Sequence, residues 1–279
     1  MIRLMGYLEI TMQVSVELME IIVAELSYLP YNSFEEKEEE EVLHAYILEE
    51  DFEEEQLLEI LNQYGIPANF SKNKMENKNW NEEWEKNFEP TEVSENCRVR
   101  ATFHESKNLD YEVIINPRMA FGTGHHSTTQ LMMLSQFDID HQGKSVIDAG
   151  TGTAVLAILA EKLGASLVKG NDIDEWAYEN AVENSKLNNC QNINIELGTA
   201  SEVYQQVDSV DILLANINKN VLLDEIPVYA KLVSKGGNLL LSGFYEKDIN
   251  DISARAKEFG FSQISSNSKN EWACILFVK

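Results

Sequence analysis

Asp148, Gly150, Gly152 and Ala154 alternate through the run Val146-Ile-Asp-Ala-Gly-Thr-Gly-Thr-Ala154, and an apolar stretch, residues 155–159, follows at once. A strand that passes through a two-glycine turn into a helix exposes backbone N–H groups at the helix start. Such groups bind anionic or carboxylate-bearing ligands. Taken alone, a Gly-x-Gly after a strand serves equally as a plain tight turn. A second chemistry-bearing stretch runs from Asn116 through Phe121-Gly122-Thr123-Gly124-His125-His126-Ser127-Thr128 to Thr129. It brings hydroxyls to the start of a helix expected over 130–137, where they cap orphan amides or reach a ligand. His125 and His126 invite a metal, but adjacent side chains point apart and no Cys or carboxylate stands nearby at ligand spacing, so no metal is assigned.

The elements that must hold these residues alternate regularly. Strands are expected over 167–170, 193–197, 210–215 and 238–242, with helices over 175–187, from Asn216 to 233, and over 248–259. This order predicts a parallel sheet with right-handed crossovers and helices on both faces. Ligands of such sheets bind outside the C-terminal strand ends, where Gly150, Asp172 and Asn216 all fall. The last two strands, 261–266 and 272–278, are separated only by residues 267–271, so they must pair antiparallel. A dinucleotide-binding oxidoreductase would need another βαβ half there. An antiparallel hairpin closing a doubly wound sheet is the layout of S-adenosylmethionine-dependent methyltransferases.

Composition bounds the rest. The 279 residues are 44% hydrophobic and carry a formal net charge of −25, which repels nucleic-acid phosphate and favours basic partners. The chain shows no signal peptide and no bilayer-length apolar run, so it is read as cytoplasmic and not membrane-bound. Cys97, Cys190 and Cys274 lack metal-ligand spacing and are read as reduced packing residues. Upstream, strands over 7–14, 31–34 and 42–48 and helices over 16–29 and 52–64 describe a small α+β, ferredoxin-like domain, residues 1–70. The acidic run 35–41 is expected as an exposed turn. Trp80, Trp84 and Phe88 recur four apart and predict a linker helix within residues 71–90. Strands over 97–103 and 111–115 are expected to pair around a turn at Asn108, opening a catalytic domain of residues 91–279.

The loop 116–129, the Asp148 to Gly152 turn, the Asp172-Ile173-Asp174 triplet and the Ala215-Asn216-Ile217 strand end resemble the bacterial methyltransferases that modify large-subunit ribosomal protein number eleven. The N-terminal module, the Trp80-bearing linker and Leu241-Ser242-Gly243 fit that family too, and the match is sharp from Trp80 onward. The resemblance implies a Rossmann-like seven-stranded α/β sheet with an antiparallel C-terminal hairpin, plus the small N-terminal α+β domain. It also implies S-adenosyl-L-methionine as cofactor and methyl transfer to amino groups, lysine side chains or an N-terminal α-amine, of a basic ribosomal protein. Another protein or a small amine is the alternative acceptor, and the chain is taken as a monomer. Carried over by position, Thr129, Gly150, Asp172 and Asn216 contact the cofactor. Gly152 admits its methionine end, Asp148 meets the ammonium, Asp172 the ribose hydroxyls and Ile173 the adenine. Asn216, with a donor and an acceptor near the methyl group, is the catalytic candidate that orients the amine. Asp174 is read as a helix cap, and Thr128 equally as a cap or a ligand contact. The family's third glycine is Ala154 here, expected to cost little at a helix start while narrowing the approach of the cofactor carboxylate.

Overall fold

The computed structural model describes residues 7–37, 40–67, 69–74, 88–117, 122–205 and 209–279. The chain divides into two units, Met1–Phe88 and Glu89–Lys279. In the first, β1 (Tyr7–Gln13), α1 (Val16–Leu26), β2 (Tyr31–Lys37), β3 (Val42–Leu48), α2 (Glu54–Gln63) and β4 (Phe70–Lys74) follow in order. The four strands form an antiparallel sheet in the order β2-β3-β1-β4. Strand periodicity explains β3, whose Leu43, Ala45 and Ile47 all point into the core. Helical spacing brings Met19, Ile22 and Leu26 of α1, and Leu57 and Leu61 of α2, onto the same core.

Two expectations for this unit are corrected. Glu35, Glu36 and Lys37 do not lie in a turn: they continue β2, an outer strand of the sheet. Charge along an edge strand discourages pairing with other chains, which is why an acidic run is tolerated in a strand. Ser71–Lys74, assigned to the linker, instead pair with β1 as part of β4, with Leu8 opposite Lys74 and Met12 opposite Phe70. The linker aromatics Trp80 and Trp84 lie outside the described residues.

The second unit opens with β5 (Thr91–Ser94), β6 (Cys97–Ala101) and β7 (Tyr111–Ile115). The expected pairing of the latter two exists, but it is parallel, with Cys97 opposite Tyr111 and Ala101 opposite Ile115. Residues 102–110 are long enough to carry the chain back along a five-residue strand. Asn108 still turns, at φ +55°.

There follow α3 (Ser127–Gln136), β8 (Ser145–Ala149), α4 (Val155–Lys162), β9 (Leu167–Asp172), α5 (Glu175–Leu187), β10 (Ile193–Leu197), α6 (Ala200–Val203) and β11 (Val210–Asn216). The chain closes with α7 (Lys219–Leu232), β12 (Val233–Tyr245), α8 (Ile249–Glu258), β13 (Ser262–Lys269) and β14 (Trp272–Val278). Their sheet runs β10-β9-β8-β11-β12-β14-β13. Strands β8 to β12 are parallel to their neighbours, and β14 lies antiparallel between β12 and β13. Ile147, Leu213, Leu239 and Ile275 pack one face against Leu222 and Ile226 of α7 and Ile252 of α8. Chain order reverses between β8 and β11, which leaves a crevice at their C-terminal ends.

Candidate active site

The turn after β8 is built around a buried carboxylate. Asp148 Oδ2 accepts from Thr151 Oγ1 at 2.6 Å and from the Ala157 amide at 3.2 Å, while Oδ1 is buried with no partner among the described residues. Burial pushes this carboxyl up to about 6. Gly150 has φ +69°, and a Cβ there would sit 2.5 Å from Ile217 Cγ2, so the turn admits no side chain. The amides at the helix start are largely engaged: Thr151 N donates to Asn171 O, Ala154 N to Thr151 O, and Gly152 N to Asp172 Oδ2. A ligand is therefore met here chiefly by side chains and by the glycine cleft.

Ala154 differs from expectation for a specific reason. It is not a helical residue but the N-cap of α4, fully buried at φ +63°. A left-handed L-residue carries about 1–2 kcal/mol of strain, so Ala is an expensive occupant where glycine would be relaxed.

A cavity of about 830 Å³ opens over this turn, and Gly150, Gly152, Asp172, Ile173 and Asn216 all line it. Asp172 is held through both oxygens, Oδ2 accepting from Gly152 N at 2.9 Å and Oδ1 from the Asp174 amide at 3.1 Å. Ile173 is 74% exposed at the rim, an apolar surface left uncovered among the described residues. Asp174 caps α5 by accepting from Trp176 N at 2.8 Å. Asn216 ends β11 with Oδ1 buried and unpartnered, and its Nδ2 lies 3.5 Å from Thr129 Oγ1. Thr129 and Asp148 are fully buried and stand behind the cavity wall. Five predicted residues thus share one chamber, and two support it from behind.

The glycine-rich loop is organised by histidine. Helix α3 begins at Ser127, not Gln130, and its N-cap is His126, whose ring accepts from Thr128 N at 3.3 Å. Thr128 is therefore not the cap, and its hydroxyl meets His126 Nδ1 at 2.8 Å. His125 turns the other way, with Nε2 2.8 Å from Glu89 O. Phe121 lies outside the described residues.

Two groups of residues at the site received no role there from the sequence alone. His126 meets Trp272 edge-on at 4.7 Å, Trp272 stacks on Tyr245 at 4.2 Å, and both His126 and Trp272 line the cavity. An aromatic at the first position of the antiparallel strand was the available signal. On α5 and its C-cap, Asn180, Asn184 and Asn188 recur four apart and face the edge of β7. Asn188 accepts from Ile114 N at 2.9 Å and donates to Ile114 O at 2.6 Å, replacing a missing strand. Asn184 accepts from Asn116 N at 2.7 Å and donates to Thr153 O at 3.0 Å, tying the glycine turn to the root of the glycine-rich loop. Asn180 donates to Asn116 O at 3.1 Å.

A doubly wound sheet with an antiparallel strand next to its edge, a glycine cleft after the first strand and an acidic residue ending the second define an S-adenosylmethionine-dependent methyltransferase. The residues present fit that cofactor: the Gly150 cleft has no room for a Cβ, and unpartnered buried oxygens on Asp148 and Asn216 await donors. The family model described as ribosomal protein L11 methyltransferase (PrmA) matches residues 7–279. A relative of that name from Porphyromonas gingivalis is 40% identical over 275 residues, covering 97% of this chain and 93% of the relative. Another, from Bacteroides fragilis, is 38% identical over 264 residues, covering 93% of each. The solved structure of ribosomal protein L11 methylase from Lactobacillus delbrueckii subsp. bulgaricus superposes with a TM-score of 0.62 at 26% identity, covering 69% of this chain and 99% of that one. The chain belongs to the ribosomal protein L11 methyltransferase family.

Proposed function

We propose that this chain moves methyl groups from S-adenosylmethionine to amino nitrogens, lysine side chains or the α-amine, of ribosomal protein L11, acting as a cytoplasmic monomer. The observation that carries the reading is Asn216: an unpartnered amide oxygen at the end of β11, beside the glycine cleft. When bound, the cofactor supplies an electrophilic methyl on a sulfonium. The nitrogen that receives it loses one proton, so the incoming amine must be neutral. A lysine amine, near pKa ~10.4, gives up its proton at about 1.36 kcal/mol per pH unit, more than an α-amine near ~8. None of the described cavity residues is a strong base, so we assign the proton to water.

Asn216 Oδ1 accepts an N–H of the neutral amine and aims its lone pair, with Thr129 Oγ1 orienting the amide from behind. Asp148 holds the methionine ammonium, Gly150 and Gly152 admit the amino-acid end, Asp172 takes the ribose hydroxyls and Ile173 covers the adenine. We assign the first unit, Met1–Phe88, to substrate recognition and the second, Glu89–Lys279, to catalysis; the net charge of −25 steers a basic ribosomal protein. Radiolabelled methyl transfer into purified L11 tests the reading. Label in wild type and its loss in Asn216→Ala are expected, and label confined to small amines overturns the substrate assignment.

A further inference from the structure

Four residues along α7 and its cap, Asn218, Val221, Glu225 and Tyr229, recur at a spacing of three to four and all line the cavity. Among them Glu225 has a carboxylate oxygen, Oε2, that is buried without a hydrogen-bond partner among the described residues. Burial and the charge of Asp224 both push its carboxyl above the usual range. Leaving a buried carboxylate unpaired is costly, so the oxygen calls for an N–H or O–H donor.

The other described carboxylates of the cavity wall each already accept a backbone amide. Asp172 accepts from Gly152 N and Asp174 N, and Asp174 accepts from Trp176 N. The cofactor presents three sets of donors: its ammonium, its ribose hydroxyls and the exocyclic amino group of adenine. The reading above, on which this step rests, assigns the first two to Asp148 and Asp172. One donor remains, the adenine amino group, and besides Asn216 two buried acceptors stand unpartnered among the described residues of the wall, Asn171 Oδ1 and Glu225 Oε2, of which only Glu225 is a carboxylate.

We infer that Glu225 accepts a hydrogen bond from the exocyclic amino group of the cofactor's adenine and makes the pocket select a 6-amino over a 6-oxo purine. In a 6-oxo purine the group facing Oε2 is itself an acceptor. Two lone pairs then meet in a largely apolar chamber, with Val221 beside them. A site built to bond a donor rejects the analogue that lacks it.

The test is calorimetric titration of the full chain at pH 8 with S-adenosylhomocysteine and its deaminated counterpart S-inosylhomocysteine. Wild type is expected to bind the adenosyl compound ~10-fold tighter or more. In Glu225→Ala that preference should shrink to within about threefold. In Glu225→Gln, whose amide both donates and accepts, affinity for the inosyl compound should rise above the wild-type value; this isosteric variant decides the matter if the alanine variant does not fold. Equal binding of both ligands by wild type, or an undiminished preference in Glu225→Ala or Glu225→Gln, overturns the inference. Failure of wild type to bind either ligand overturns the cofactor reading along with it.

Discussion

Replacing Asp148 by asparagine should change the pH dependence of stability more than stability itself. The wild-type carboxyl is fully buried and its pKa is raised from 3.8 to about 6. Because the folded value exceeds the unfolded one, the native state holds the proton more tightly. That contribution is fully present below about pH 4 and is lost as pH rises through about 6, beyond which it stays flat. A shift of some two units corresponds to about 3 kcal/mol. Asparagine keeps an oxygen that can accept from Thr151 and Ala157 and does not titrate. Stability of Asp148→Asn relative to wild type should therefore rise by about 3 kcal/mol from pH 4 to pH 7. Paired urea unfolding curves at each pH measure this difference, since other titrating groups cancel between the two proteins. A difference that does not change with pH would refute the reasoning. Saturating S-adenosylmethionine supplies a further check: an ammonium beside Asp148 favours its charged form, so the wild-type slope between pH 4 and 6 should flatten.

Gly150→Ala should lower cofactor affinity ~10-fold or more and lower the melting temperature. The added methyl collides with Ile217 Cγ2, and calorimetry showing unchanged affinity would contradict the cleft. Asn184→Leu leaves Asn116 N and Thr153 O without their buried partners, for an expected loss of about 3 kcal/mol on urea unfolding together with weaker cofactor binding. Removing residues 1–88 should abolish methyl incorporation into L11 while calorimetry still registers S-adenosylmethionine; undiminished incorporation would dismiss the recognition role of the first domain.

The strand ends that hold Gly150, Asp172 and Asn216 were legible because each is announced locally, by a short strand-like segment that stops at a glycine, a carboxamide or a carboxylate. Strand direction is not announced locally. The segments at Cys97 and Tyr111 have the same alternation whether their pairing is parallel or antiparallel, and the hairpin expectation failed there. Glu35 and Glu36 read as a turn because charge was weighed without knowing that β2 would lie at a sheet edge. Ala154 gave no sign of its left-handed backbone, since the residue type that would advertise it is missing. The asparagines of α5 were hidden for the opposite reason: their period was visible, but their partners, Ile114 and Asn116, lie some 70 residues away.

The antiparallel setting of β14 has a consequence for how acceptor specificity can be altered. Parallel strands present their last residues at the active end, whereas β14 presents its first, Trp272, together with the tight turn that leads into it. That turn places Asn270 and Glu271 at φ +50° and +67°, and Asn270 Nδ2 reaches Ser127 Oγ at 3.1 Å beside the His126 cap. The hairpin tip is thus an adjustable rim beside the aromatic wall, remote in sequence from every residue assigned to the methionine and ribose portions. Changes in its length or side chains would reshape which amines gain admission while the grip on the methyl donor stays as it is.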